Sequence, residues 1–211
     1  MTYLRLAFFV CFVRPLLVLI LGLNIRHLER LRAVAGGHLV AANHNSHLDA
    51  LVLLSLFQLK DLPRVKIVAA KDYFCKTPLR TWLSLNLIGI IPIDRQGGTA
   101  DPLAPVAEAL GQGRTVIMFP EGSRGEAEVR QPFRFGIAKL LEQFPAVKIT
   151  PIYLHGLGKA LPRGESLLVP FNCNGSVGED IAWDGDRASL IARLEAVFDA
   201  LAAEVAPRDL S

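Results

Sequence analysis

The sequence predicts an α/β domain built on a mixed, largely parallel β-sheet flanked by helices and preceded by an N-terminal membrane-associating helical segment. Three observations carry that prediction. From residue 37 onward, short apolar runs that end in turns rich in glycine, asparagine or proline alternate with longer segments of helical periodicity. The first 34 residues hold a twenty-residue apolar stretch with one charge. Hydrophobic residues make up 51% of the 211 and charged residues 20%, which excludes a disordered chain and supplies apolar surface for one sizeable core. Residues 1–34 are therefore read as the apolar segment and residues 35–211 as a single α/β domain.

The apolar stretch LAFFVCFVRPLLVLILGLNI runs from Leu6 to Ile25 and carries only Arg14. A straight helix of that length, at about 1.5 Å per residue, just reaches across a hydrocarbon layer of about 30 Å. Arg14 at mid-span costs about 2.5–3.5 kcal/mol, and Pro15 removes a helix hydrogen bond and kinks the chain. Two short helices lying in the interface thus compete with one span, and a buried helical hairpin is the third reading. No small-x-small cleavage site follows, which argues against a cleaved signal. Arg26, Arg30 and Arg32 favour keeping the following chain on the cytoplasmic side.

Gly36-Gly37 opens HLVAAN, a strand ending at Asn43, and SHLDALVLLSLFQ reads as a buried helix. RVKIVAA (64–70) predicts a second strand, PLRTWLSLN (78–86) a short helix begun by Pro78, and GIIPI (89–93) a third strand. Asp101-Pro102 caps a helix with Leu103, Val106, Ala107 and Leu110 on one face, and RTVIMF (114–119) is a strand. Phe135 to Phe144 reads as a helix and VKITPIYLHG (147–156) as a strand. LLVPFN (167–172) and Ser176 to Ile181 are expected as two short closing strands. The last helix carries Leu190, Ile191, Leu194, Val197, Phe198 and Leu201 as one stripe behind an Asp184-Gly-Asp186 cap.

A net charge of +3 is a poor basis for nucleic-acid binding, but its distribution is uneven. Residues 1–32 and 60–95 each carry +4, whereas residues 96–211 carry −4, so the N-terminal half is the cationic half. Cys11, Cys75 and Cys173 have no metal-like spacing; they are expected as buried thiols of a reducing compartment.

In open α/β sheets, functional loops leave the carboxyl ends of strands, and three such ends carry unusual residues. The first is Asn43-His44-Asn45-Ser46-His47-Leu48-Asp49. His44 falls in the strand-to-helix turn and Asp49 one turn into the helix, so the carboxylate can hold one ring nitrogen protonated while the other faces a substrate. Ser46-x-x-Asp49 is equally a capping box that serves the helix alone, and both roles can hold at once. A metal site from His44, His47 and Asp49 is open by residue type, but no other cluster completes it. The second end is Asp94-Arg95, where a forked, permanent cation suits a phosphate or forms an ion pair with Asp94. The third is FPEGSRG: Gly122 and Gly125 let a ligand approach the backbone, Arg124 supplies charge, and Glu121 can orient either that arginine or a ligand hydroxyl.

Asn43-His44 with Asp49, Gly89 through Arg95, and FPEGSRG resemble, in order and spacing, the first three signature blocks of the glycerolipid acyltransferases, the lysophosphatidic acid acyltransferase family. Thr150-Pro151-Ile152-Tyr153 is similar to the fourth, and the resemblance spans about residues 37–181. It implies that His44 is the general base, that Asp49 orients it, and that Arg95, Glu121, Gly122, Ser123 and Arg124 bind the glycerol phosphate. Lys71 and Arg134 fall where the family has lysines, which makes them further substrate-binding candidates. The resemblance also implies acyl-CoA or acyl-ACP as co-substrate, no cofactor and no metal, a lysophospholipid acceptor, and a site at the cytoplasmic face of the inner or plasma membrane. An alcohol is a poor nucleophile at neutral pH, and a positioned imidazole supplies about 10²–10⁴ in rate by removing its proton. The expected reaction converts 1-acylglycerol 3-phosphate to phosphatidic acid. Its rivals are acyl transfer to lyso-ornithine lipid or another lysophospholipid, hydrolysis of a lipid or thioester, and a catalytically silent lipid-binding adaptor.

Overall fold

The apolar runs pair into one seven-stranded sheet: β1 (Leu21–Arg26), β2 (His38–Ala42), β3 (Val65–Ala70), β4 (Ile90–Ile93), β5 (Thr115–Met118), β6 (Ile149–His155) and β7 (Phe171–Val177). The structure is a computed structural model, and it describes residues 2–31, 36–46, 48–94, 101–123, 129–160 and 171–206. The strand order is β1-β7-β6-β2-β5-β3-β4. Strands β6, β2, β5, β3 and β4 run parallel, while β7 lies antiparallel to β6 and parallel to β1. All four carboxyl ends of β2, β3, β4 and β5 therefore open at the same edge.

The helices are α1 (Thr2–Phe8) and α2 (Arg14–Ile20), joined by a π-helical stretch Phe9–Val13, then α3 (Asp49–Leu56), α4 (Lys71–Phe74), α5 (Pro78–Leu83), α6 (Ala104–Gly111), α7 (Gly136–Gln143), α8 (Leu157–Ala160) and α9 (Arg187–Val205). They cover both faces. Leu39 and Ala41 of β2 join the core cluster beneath α6, α7 and α9, whereas Val40 and Ala42 join the cluster that contains Phe9, Val13 and Leu17. This two-residue alternation is what a strand buried on both sides requires, and β2 and β5 are buried at every position. In α9, Asp186 caps the helix by accepting from Ser189 N at 2.7 Å, and Leu190, Ile191, Leu194, Phe198 and Leu201 are buried as their spacing predicts.

The N-terminal segment departs from its sequence reading in two ways. Residues 21–25, expected to be helical, are part of β1, because they pair residue for residue with β7 from Leu21↔Phe171 onward. The helical run Thr2–Ile20 is continuous, and Pro15 does not break it. The π-helical stretch absorbs the proline: Arg14 N donates to Phe9 O, five residues back, and Pro15 needs no donor in the register that follows. Phe9, Val13 and Leu17 face the sheet, while Tyr3, Phe12, Val18 and Leu19 are exposed on the outer face.

Both charges of this helix turn inward. The Arg5 guanidinium is buried, which lowers its pKa to about 10. Arg14 Nη2 donates to Ser55 O (3.1 Å) and Phe57 O (2.6 Å) at the C-terminus of α3, where a cation complements the helix dipole. Arg26 and Arg30 pair with Glu204 and Glu179, and Arg32 lies outside the described residues.

The two closing strands expected at 167–172 and 176–181 are a single strand, β7, flanked by an isolated bridge between Ile149 and Ile181; residues 167–170 lie outside the described residues. Polar Asn172 and Asn174 hide this strand from an apolarity pattern. Gly175 marks why it is tightly held, since a Cβ there would come within 2.8 Å of Ile25 Cδ1 and 2.9 Å of Leu154 Cδ2. The thiols also differ from expectation: Cys173 is buried, Cys75 is half-buried, and Cys11 is exposed on the unpartnered outer face of the N-terminal helix. At the amino ends of the strands, buried His38 Nε2 lies 2.6 Å from Thr150 Oγ1, which donates to Asp180 Oδ1 at 2.6 Å.

Candidate active site

The site begins where β2 runs out of partners. Asn43 replaces the missing strand pairing with its side chain: Oδ1 accepts from Leu154 N at 2.7 Å, and Nδ2 donates to Leu154 O at 2.8 Å. Asn45 Nδ2 reaches the same carbonyl at 3.3 Å. These bonds fix the turn to β6 on either side of His44. Sequence reasoning assigned the two asparagines no role; the signal was there, as amide side chains set at a strand end.

His44 Nδ1 lies 2.8 Å from Asp49 Oδ2. The same oxygen accepts from the backbone N–H groups of Asn45 (2.7 Å) and Ser46 (2.8 Å). Backbone N–H groups only donate, so Oδ2 is an acceptor and Nδ1 carries the proton. Nε2 is left with its lone pair. The capping box expected at Ser46-x-x-Asp49 forms only its carboxylate half, the bond from Ser46 N; α3 begins at Asp49 and its N-cap, Leu48, makes no side-chain cap bond, so Asp49 braces the turn and the imidazole rather than the helix. Ser46 Oγ accepts from Leu48 N at 3.3 Å, a role within the turn. The His44 ring also stacks on Phe119, with centroids 3.9 Å apart and planes within 14°. A plane and a hydrogen bond together leave the imidazole one orientation. Asp49 is 1% exposed, whereas the His44 side chain is 19% exposed, so the acid sits behind the ring and the ring meets the opening.

Glu121 lies behind the site. It is buried, Oε1 accepts from His44 N at 2.9 Å, and Oε2 accepts from Gln131 N at 3.0 Å. Burial pushes its carboxyl pKa up, against the hydrogen bonds from Gln131 and His44 N–H, which pull it down. Its carboxylate thus ties the histidine turn to the FPEGSRG loop. Gly122 has φ +76°, and a Cβ there would come within 2.9 Å of Arg134 Cδ and Nε. The glycine is needed both for the left-handed turn and for Arg134 to lie across it.

His44 lines an open cavity of about 590 Å³ at the carboxyl ends of β3, β4 and β5. One part is apolar, walled by Ala50, Ile67, Phe74, Ile88 and Ile90. Another carries Gly122, Ser123 and Arg134, with Asp72 and Asp94 also on the wall. Of the residues singled out by sequence, His44, Asp49, Glu121, Gly122, Ser123 and Arg134 are thus brought together. Lys71 is exposed at the start of α4, next to the lining residues Asp72 and Tyr73. Arg95, Arg124 and His47 lie outside the described residues. Among the described residues, no group of three or more His, Cys, Asp or Glu is placed to hold a metal ion.

Comparison with known proteins settles the family. A family model described as acyltransferase matches residues 22–155, a stretch that runs from β1 to the end of β6 and contains every site residue named above. The chain belongs to the acyltransferase family. The glycerolipid acyltransferase resemblance of its sequence blocks is borne out by the curated relatives of the chain. A chloroplastic 1-acyl-sn-glycerol-3-phosphate acyltransferase of Brassica napus is 30% identical over 143 residues, covering 67% of this chain and 39% of the relative. One of Arabidopsis thaliana is 30% identical over 144 residues, covering 67% and 38%. A 1-acyl-sn-glycerol-3-phosphate acyltransferase of Helicobacter pylori is 32% identical over 122 residues, covering 56% and 48%. The matched stretch thus spans less than half the length of these relatives. In fold, the chain resembles the crystal structure of the 1-acyl-sn-glycerophosphate (LPA) acyltransferase PlsC from Thermotoga maritima, with TM-score 0.77 and 18% identity over 96% of this chain and 81% of that one.

Proposed function

We propose that this family member transfers a fatty acyl group from acyl-CoA or acyl-ACP to the free hydroxyl of 1-acylglycerol 3-phosphate, giving phosphatidic acid. The observation that carries the reading is the 2.8 Å bond between His44 Nδ1 and Asp49 Oδ2, with the ring at the wall of a partly apolar cavity. Nε2 takes the proton of the acceptor hydroxyl as its oxygen attacks the thioester carbonyl. Collapse of the tetrahedral intermediate forms the new ester C–O bond and breaks the C–S bond, and the leaving thiolate takes the proton back from His44. No serine nucleophile is required. Arg134 and Ser123 receive the acceptor's phosphate, with Arg124 and Arg95 assigned the same role from their sequence blocks, and the Arg134 cation shares the cavity wall with Asp72 and Asp94. The apolar wall of Ala50, Ile67, Phe74, Ile88 and Ile90 receives the acyl chain.

The acceptor comes from a lipid surface. The outer face of the N-terminal helix presents Tyr3, Phe12, Val18 and Leu19, while Arg5 and Arg14 are spent on carbonyls of the domain. With one face packed on the sheet and β1 beginning at the next residue, the helix lies in the plane of the cytoplasmic leaflet interface and does not cross it.

The test is a purified-protein assay with acyl-CoA and acyl-ACP donors and a panel of lyso-lipid acceptors, run beside His44→Ala. Esterification of 1-acylglycerol 3-phosphate is expected, with a loss of at least about 10²-fold in His44→Ala. Preference for lyso-ornithine lipid or another lysophospholipid overturns the acceptor. Free fatty acid without acylated lipid makes the protein a hydrolase, and vesicle binding without turnover makes it an adaptor.

A further inference from the structure

Arg5 belongs to the apolar N-terminal helix, yet the residue is 5% exposed and its guanidinium donates to four main-chain carbonyls. Nη1 reaches Leu62 O (2.8 Å) and Val65 O (3.1 Å), Nε reaches Leu87 O (3.1 Å), and Nη2 reaches Ile88 O (2.8 Å). Leu62 and Val65 lead into β3. Leu87 and Ile88 end the π-helical turn Ser84–Ile88, whose last carbonyls have no partner within the turn. The chain then reverses at Gly89 with φ +78°, where a Cβ would come within 2.9 Å of Arg5 Cζ and Nη2. The guanidinium occupies the space of the missing side chain.

The residues it fastens are the far wall of the cavity. Ile88 lines the cavity, as do Ile67 and Ile90, which pair across β3 and β4. Through Ile117, Ile67 is level with Val40, four residues before His44, which puts this wall about 13 Å below the histidine along the strand direction at ~3.3 Å per residue. Among the described residues β4 is the edge strand of the sheet, with β3 as its one partner strand. The turn before it is π-helical, a rare form found frequently at functional sites, and it has a neighbouring strand on one side only to hold it. A wall that yields cannot reject a chain one or two methylenes too long, because such discrimination requires that the excess has nowhere to go.

We infer that Arg5 is a positioning residue that holds the end wall of the acyl-chain pocket rigid and thereby sets which fatty acyl chain lengths are transferred. The inference rests on the reading of the apolar wall as the acyl site. The membrane-facing helix, through Arg5, is thus part of the specificity apparatus.

The test uses the full chain in detergent micelles with 1-acylglycerol 3-phosphate and saturated acyl-CoA donors that lengthen by two carbons at a time. Arg5→Met is expected to flatten the profile, narrowing the kcat/KM ratio between the preferred donor and the next longer ones by at least about fivefold. Ile88→Ala, which cuts the wall back, shifts preference toward longer donors. Arg14→Met, which unbinds the same helix from α3, lowers the melting temperature and leaves the ratio as in the parent. Ile88→Ala moving the profile while folded Arg5→Met keeps the parental ratio overturns the inference and spares the acyl-site reading. Neither variant moving it overturns both. If Arg5→Met does not fold, Arg5→Lys, which keeps the charge and reaches fewer carbonyls, is read by the same ratio, and an unchanged ratio again overturns the inference.

Discussion

Replacing Asp49 by asparagine isolates what the carboxylate does for the histidine. Oδ2 accepts from His44 Nδ1, Asn45 N and Ser46 N within 2.8 Å, and the side chain is 1% exposed, so water cannot substitute for a lost partner. An asparagine presents one acceptor oxygen and one donor NH₂. One oxygen takes all three bonds, so an asparagine oxygen set in the Oδ2 position keeps them and leaves the NH₂ in the Oδ1 position, which is buried without a partner among the described residues. His44 then keeps its tautomer, with Nδ1 donating and Nε2 as base, but loses the negative charge that stabilises the imidazolium formed when Nε2 takes the proton. General-base help is worth about 10²–10⁴ in rate, or about 3–5 kcal/mol of activation free energy, and losing the charge forfeits part of it, a fall in kcat of at least about tenfold. Because the oxygen still holds Asn45 N and Ser46 N, the fold should lose little, about 1 kcal/mol. The assay compares kcat, the acceptor KM and the melting temperature of Asp49→Asn with those of the parent. A kcat within threefold of the parent, alongside an inactive His44→Ala, would refute the charge-stabilising role of Asp49.

Three further outcomes follow from other parts of the molecule. Burial lowers the pKa of His38, against Asp180, which raises it, and with Lys148, which lowers it further, so the unfolded chain binds a proton before the folded one does. The stability that depends on neutral His38 is intact above about pH 6.5 and is lost as pH falls toward its folded pKa; the melting temperature should fall on acidification, and less so in His38→Gln. Gly122→Ala adds a Cβ 2.9 Å from Arg134 Cδ at φ +76° and should raise the acceptor KM about tenfold by displacing that arginine, read from rates at varied 1-acylglycerol 3-phosphate. Val18→Glu with Leu19→Glu places charge on the outer face of the N-terminal helix, and removing two side chains worth about 1.5–3 kcal/mol each should cut vesicle binding in flotation by at least about 100-fold without changing the melting temperature.

The central strands and α9 were legible in the sequence because their burial is periodic: Leu39 and Ala41 face one way, Val40 and Ala42 the other. The His44–Asp49 pair was legible because both partners lie within one strand-turn-helix, where local geometry alone brings them together. What escaped depends on contacts between distant residues. β1 looked helical because its apolar residues continue those of α2, and only the partner strand β7, some 150 residues away in sequence, makes it a strand. Phe119 under the imidazole, the bond from His44 N to Glu121 and Arg5 on Gly89 carry no local pattern, since each is defined by a neighbour in another element; the sequence marked Glu121 as a site residue but not as the brace of the histidine turn.

The inward-facing arginines make the first twenty residues a poor module for exchange. Six main-chain carbonyls, those of Ser55, Phe57, Leu62, Val65, Leu87 and Ile88, are terminated by two guanidinium groups from this one helix. A chimera that grafts on a foreign anchor, however well it partitions into bilayers, would strand those oxygens unless it carried cations nine residues apart with the same facing. If the helix tethers the protein as proposed, tethering and scaffolding are a single invention, and a protein engineer would have to transplant both together.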